Sequence, residues 1–146
     1  MVDPYQANLA AKVKFTQKRV VKGRFVVVLE GTIENRGIEL IHPGSRCVRQ
    51  GEIFELICTD EQTARPAGRV DRATYLGFCE VVQPGVLRVG DRVEIHGQAI
   101  GRVAGFDETH FPNHQNVVIK TDSDKTPPSV SYGLEDEIAF VQDSQS

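Results

Sequence analysis

Residues 87–121 read LRVGDRVEIHGQAIGRVAGFDETHFPNHQNVVIKT, and their periodicity decides the fold class. Arg92, Glu94 and His96 alternate with Val93 and Ile95, the two-residue period of a strand with one wet face and one dry face. Gly90-Asp91 ahead and Gly97 behind supply turns, and Ile100, Val103 and Phe106 carry an antiparallel return. A polar loop over residues 107–116 follows, and Val117-Val118-Ile119 begins the next strand. The stretch is a run of hairpins, and a functional site belongs in its one long polar loop.

The flanks repeat the pattern. VKFTQKRVV and RFVVVLEGTI, within residues 9–33, flank Lys22-Gly23, a dipeptide suited to a two-residue hairpin turn because glycine tolerates positive φ. Lys12, Lys14, Lys18, Arg19, Lys22 and Arg24 follow one another with no acid between them, which reads as a solvated edge that resists sheet-to-sheet pairing or as a surface for an acidic partner. Residues 38–42 and 52–58 read as strands, and 59–69 as a polar surface excursion able to cover a pocket. ATYLGFCEVV, residues 73–82, is aromatic and β-branched, with Gly77 marking a bulge. Residues 121–131 are a Pro/Ser-rich connection, and 137–141 form a last strand.

Short strands separated by Gly, Pro and Asn turns, with no helical period, define an all-β chain, a barrel or barrel-like sandwich. At 146 residues it is one domain, 1–146, with flexible ends at 1–8 and 142–146. The apolar members of the alternating runs, Val26, Val28, Phe54, Leu56, Phe78, Val93, Ile95, Val103 and Ile119, are the expected core.

Seventeen basic against 20 acidic side chains give a formal charge of −3, which provides no field for nucleic acid or for an anionic membrane. No apolar run approaches a membrane span and the N-terminus has no signal block, so a soluble cytoplasmic protein is expected. The three cysteines, Cys47, Cys58 and Cys79, are odd in number and set among apolar residues, which reads as buried reduced thiols.

GVLRVGDRVEI, GQAIGRVAGFDETHFPNHQNVVIK and GLEDEIAF, spread over residues 76–141, resemble the C-terminal half of the glucitol/sorbitol-specific IIA component of the bacterial phosphotransferase system. The resemblance implies a small β-barrel and a carrier role in sugar phosphotransfer. Where that family shows a histidine in the strand before the GD hairpin, this chain has Glu80, and the family's later Gly-His pair corresponds to Gln115-Asn116.

The densest set of ligands and proton carriers is His110 and His114 with Asp107 and Glu108. One imidazole oriented by a carboxylate suffices for acid/base work, and Glu80, if turned inward, would join it. Asn113, Asn116, His42, Arg46 and Tyr75 are the polar residues expected to hold a substrate. No organic cofactor is implied; a divalent metal would need a third ligand from Glu80, His42 or His96. Two functions follow. One is an isomerase, epimerase or lyase acting on a small polar, sugar-like metabolite. The other is a non-catalytic binding or carrier module, and either is compatible with a homo-oligomer.

Overall fold

A computed structural model describes residues 14–121 and 130–143. Among these described residues twelve strands form in chain order: β1 Val21–Val28, β2 Thr32–Ile33, β3 Ile38–Glu39, β4 Ser45–Val48, β5 Ile53–Thr59, β6 Arg69–Val70, β7 Ala73–Gln83, β8 Gly85–Arg88, β9 Arg92–Ile95, β10 Gln98–Asp107, β11 Gln115–Thr121 and β12 Glu137–Val141. Seven of them pair in the order β1-β12-β9-β10-β11-β5-β7, and β7 returns to β1 to close a barrel, with β2 added at the end of β7. Closure leaves these seven strands without a free edge. Every pairing is antiparallel except β5 with β11.

Two hairpins of the array over residues 87–121 form, β9 with β10 and β10 with β11, whereas β8 pairs with β4 rather than with β9. His96 and Gly97, with φ of 53° and 74°, make the two-residue turn that places Gln98 opposite Ile95. Val93, Ile95, Val103, Phe106 and Ile119 point into the barrel with Phe54, Leu56 and Phe140. The Gly90-Asp91 turn is also present, and Asp91 closes it by accepting the Arg88 N–H at 2.9 Å.

The expected first hairpin does not form in the described residues; residues 9–13 lie outside them. β1 runs straight through Lys22-Gly23, because Gly23 is an approach point rather than a turn. A Cβ there would sit 3.1 Å from Cys79 Sγ. The inward phase is therefore set by Val21 and Phe25, both fully buried, while Val26 is half-buried and Val28 is 42% exposed. Phe78 is likewise only half-buried, on the outer wall. The bulge at Gly77 is real: its φ is 149°, and a Cβ would lie 2.1 Å from the Val27 carbonyl oxygen.

A second apolar cluster lies outside the barrel. Ile38 and Leu40 pack with Ala64, Val70 and Ala73 against Ile57, Ala104 and Val118 on the outer faces of β5, β10 and β11. The polar excursion of residues 59–69 thus ends in a ribbon, β3 with β6, that covers the wall, and β5 and β11 are buried on both faces.

Three members of the basic run are matched by acids from elsewhere, Lys18 with Asp91, Lys22 with Glu137 and Arg24 with Glu135, and Lys12 lies outside the described residues. At the C-terminus Gln142 bonds to Phe15 and Lys18, and Asp143 is buried against Arg102.

Cys58 and Cys79 are buried, but Cys47 is exposed on β4, which corrects the expectation of three buried thiols. Burial pushes the Cys58 thiol up to about 12 and Cys79 up as well. In the native protein a thiol reagent at neutral pH is expected to label Cys47 alone, since a buried neutral thiol is neither accessible nor a thiolate. Fast labelling of all three before unfolding would contradict the packing.

Candidate functional site

The site is built on one rung of the outer wall. Asp107 of β10 lies opposite Asn116 of β11, Asn116 opposite Glu55 of β5, and Glu55 opposite Phe78 of β7. Strand alternation turns these four side chains outward, because their neighbours Phe54, Leu56, Val117 and Cys79 face in. Asp107, Asn116 and Glu55 are nevertheless buried, polar groups in a dry layer, while Phe78 is half-buried.

Two of the residues expected to do chemistry make hydrogen bonds within the loop and its flanking strands. Asp107 accepts hydrogen bonds from Thr109 Oγ1 and from Asn116 Nδ2, each at 2.7 Å, and so ties both ends of the loop together. Glu108 is exposed and receives Gln115 Nε2 at 3.3 Å. The Oδ1 of Asn116 and the Oε1 of Gln115 are buried and have no partner among the described residues.

The loop between them is a chain of turns. Phe111 N–H reaches Glu108 O and Asn113 N–H reaches His110 O, at 3.1 and 2.9 Å. This brings the two imidazoles together without a helix, with Pro112 between them. Their ring centres are 5.2 Å apart and inclined by 31°. His114 leans inward: its Nε2 donates to Glu55 Oε1 at 3.3 Å, its Nδ1 meets Asn113 Oδ1 at 2.6 Å, and Phe78 packs edge-on at 4.9 Å. The His114 and Glu55 side chains are only 11% and 9% exposed. His110 is exposed, and its Nε2 accepts from Arg36 Nη2 at 3.2 Å; Arg36 Nε in turn donates to the Tyr75 hydroxyl at 2.9 Å. A guanidinium can only donate, so this nitrogen of His110 is the unprotonated one.

Of the expected site residues, His110, His114, Asn113 and Tyr75 thus meet in one connected group, with Asp107 and Asn116 beneath it. Glu80 does not join them; it is exposed on β7, as strand alternation allows. Arg46, on β4, is ion-paired with Glu52, and His42 is exposed ahead of that strand. His96 pairs with Asp136. Among the described residues no three His, Cys, Asp or Glu side chains are grouped to hold a metal ion. The two residues that sequence reasoning missed are Glu55 and Arg36. Glu55 occupies a polar position of an alternating strand, indistinguishable in sequence from a solvated one, and Arg36 sits in what reads as a plain turn.

A concavity of about 490 Å³ opens at the barrel end between residues 28–32, 74–76 and 130–132, and Tyr75 borders it. In its wall Tyr132 stacks on Phe25 and donates its hydroxyl to Leu76 O. Burial, with smaller contributions from Cys58 and Glu30, pushes that phenol up to about 12.

Fold and site together define a small closed seven-stranded barrel that carries a paired carboxylate and imidazole on its outer wall, with an exposed imidazole beside them. The chain belongs to a family of unknown function, DUF6917, whose model matches residues 15–141. No curated protein and no solved structure matches it. Among the described residues no helix is long and apolar enough to cross a membrane.

Proposed function

We propose that the protein is a cofactor-independent cytoplasmic enzyme that moves a proton on a small polar metabolite, as an isomerase, epimerase or lyase does. One observation carries this reading: an exposed imidazole, His110, stands in ring contact with a second imidazole that a buried carboxylate and an amide hold from both sides. His110 is the group that meets the substrate. It is exposed, and its Nε2 is an acceptor. His114 and Glu55 are positioning residues that fix the wall on which His110 rests. General acid/base catalysis asks for little more than an oriented imidazole within reach of the proton.

The test works on a class of compounds rather than on one chosen metabolite. The protein is incubated in D₂O with a panel of hydroxy aldehydes, hydroxy ketones and hydroxy acids, and loss of C–H signal next to the carbonyl is followed by proton NMR. Catalysed exchange that disappears in His110→Ala is expected; exchange equal in the variant and the parent would remove the reading.

The alternative, a non-catalytic binding or carrier module of the kind the sugar phosphotransfer resemblance implies, is favoured by the cation beside His110. It requires ligand binding at this wall with no exchange on any compound of the panel.

A further inference from the structure

Arg36 is held by two side-chain hydrogen bonds. Both of its contacts are to neutral acceptors, the Tyr75 hydroxyl and the His110 ring, and among the described residues no carboxylate lies within ion-pair distance of it. The nearby acid Asp71 accepts from Arg69 Nε at 2.9 Å and from Gly37 N–H at 3.2 Å. Arg24, Arg46, Arg69, Arg72, Arg92 and Arg102 are each paired with a carboxylate, whereas Arg65 and Arg88, like Arg36, have no such pair among the described residues; what sets Arg36 apart is that one of its partners is an imidazole. A half-buried guanidinium oriented at two points, with its charge unmatched, is a ready site for an oxyanion, since hydrogen bonds to a charged acceptor are about twice as strong as those to a neutral one.

We infer that Arg36 binds an oxyanion, the carboxylate or phosphate of the substrate, and that this binding uncovers Nε2 of His110. In the empty site the guanidinium occupies the nitrogen that would take the proton. An anion offers Arg36 a stronger acceptor than the imidazole does, so the hydrogen bond to His110 is exchanged for one to the ligand and the base is released. The base is thus freed only when an anionic ligand is present. Tyr75, bonded to Nε, keeps the guanidinium in place while its Nη2 changes partner. That the anion belongs to a substrate rests on the acid/base reading above; the anion site itself does not.

The experiment is a titration of the full chain with inorganic phosphate and, separately, with acetate, chloride serving as the control for ionic strength. Binding is read from the imidazole resonances of His110, assigned with His110→Gln. Phosphate or acetate is expected to shift the Nε2 signal saturably where chloride does not, and the better of the two names the class of substrate group. Arg36→Gln should weaken that binding roughly ten- to hundredfold, and Arg36→Lys, which keeps the charge but loses the fork, should fall between. Saturable binding that is unchanged in Arg36→Gln, or no difference between either oxyanion and chloride, overturns the proposal. Because turnover is not read, the anion site can fail while catalysed exchange persists, and catalysed exchange can fail while the anion site stands.

Discussion

His110→Ala is expected to lower the proton-transfer activity by roughly 10²–10⁴-fold, the span typical of a lost acid/base group, while leaving stability within about 0.5 kcal/mol of the parent. The separation of the two effects follows from position. His110 is exposed and has one side-chain hydrogen bond, to an arginine that keeps its second partner, so its removal opens no cavity and strands no buried charge. His114→Ala should behave differently. That ring is nearly buried, packs on Phe78, and is the partner of a Glu55 carboxylate that is itself buried; deleting it leaves the carboxylate without its donor and should destabilise the fold by about 1–3 kcal/mol. Activity should fall in both variants, and the melting temperature should fall clearly in only one. Equal melting temperatures, with activity lost in His114→Ala alone, would exchange the roles given to the two rings.

The largest effect on stability is expected at the turn before β9. Asp91 is fully buried; Lys18 Nζ approaches its Oδ2 at 2.7 Å and also bonds to Val86 O at 3.0 Å, while Oδ1 has no partner among the described residues. A buried pair of this kind contributes little net stability compared with apolar side chains, but breaking it from one side leaves a charge in a dry place. Lys18→Met should therefore cost about 3–5 kcal/mol. Adding Asp91→Asn should recover a good part of the loss, because the amide carries no charge and can still accept the Arg88 N–H. Urea denaturation of the two single variants and the double variant checks this as a cycle. A loss under about 1 kcal/mol for Lys18→Met, or strictly additive effects, would show that the pair is solvated after all. The consequence for the N-terminal basic run is plain: Lys18, the best-buried of its described members, ties the segment ahead of β1 to the turn before β9.

The fold class was legible in the sequence because a two-residue period reports directly which face of a strand is dry, and turn residues report where the chain reverses. Residues 87–121 contained both signals, and the hairpin from β9 to β10 turns at Gly97 as expected, with His96 drawn out of the strand into the turn. The same local logic misread Lys22-Gly23, where the glycine answers a strand from elsewhere in the barrel rather than its own neighbours. It also could not foresee that Ile38, Leu40, Ala64 and Val70 would roof the outer wall, since burial on the second face of β5 and β11 depends on segments far away in the chain. The polar loop and its two histidines were legible as a candidate site for the same reason that turns are: their chemistry is local. Tertiary structure decided which carboxylate they would meet. Asp107 and Glu108, adjacent in sequence, tie the loop together, whereas Glu55 and Arg36 reach the imidazoles only because barrel closure sets β5 beside β11 and the covering ribbon brings the 34–37 turn across them. Periodicity fixes the direction of a side chain, but pairing across the sheet chooses its neighbour, and no residue in a single strand encodes that choice.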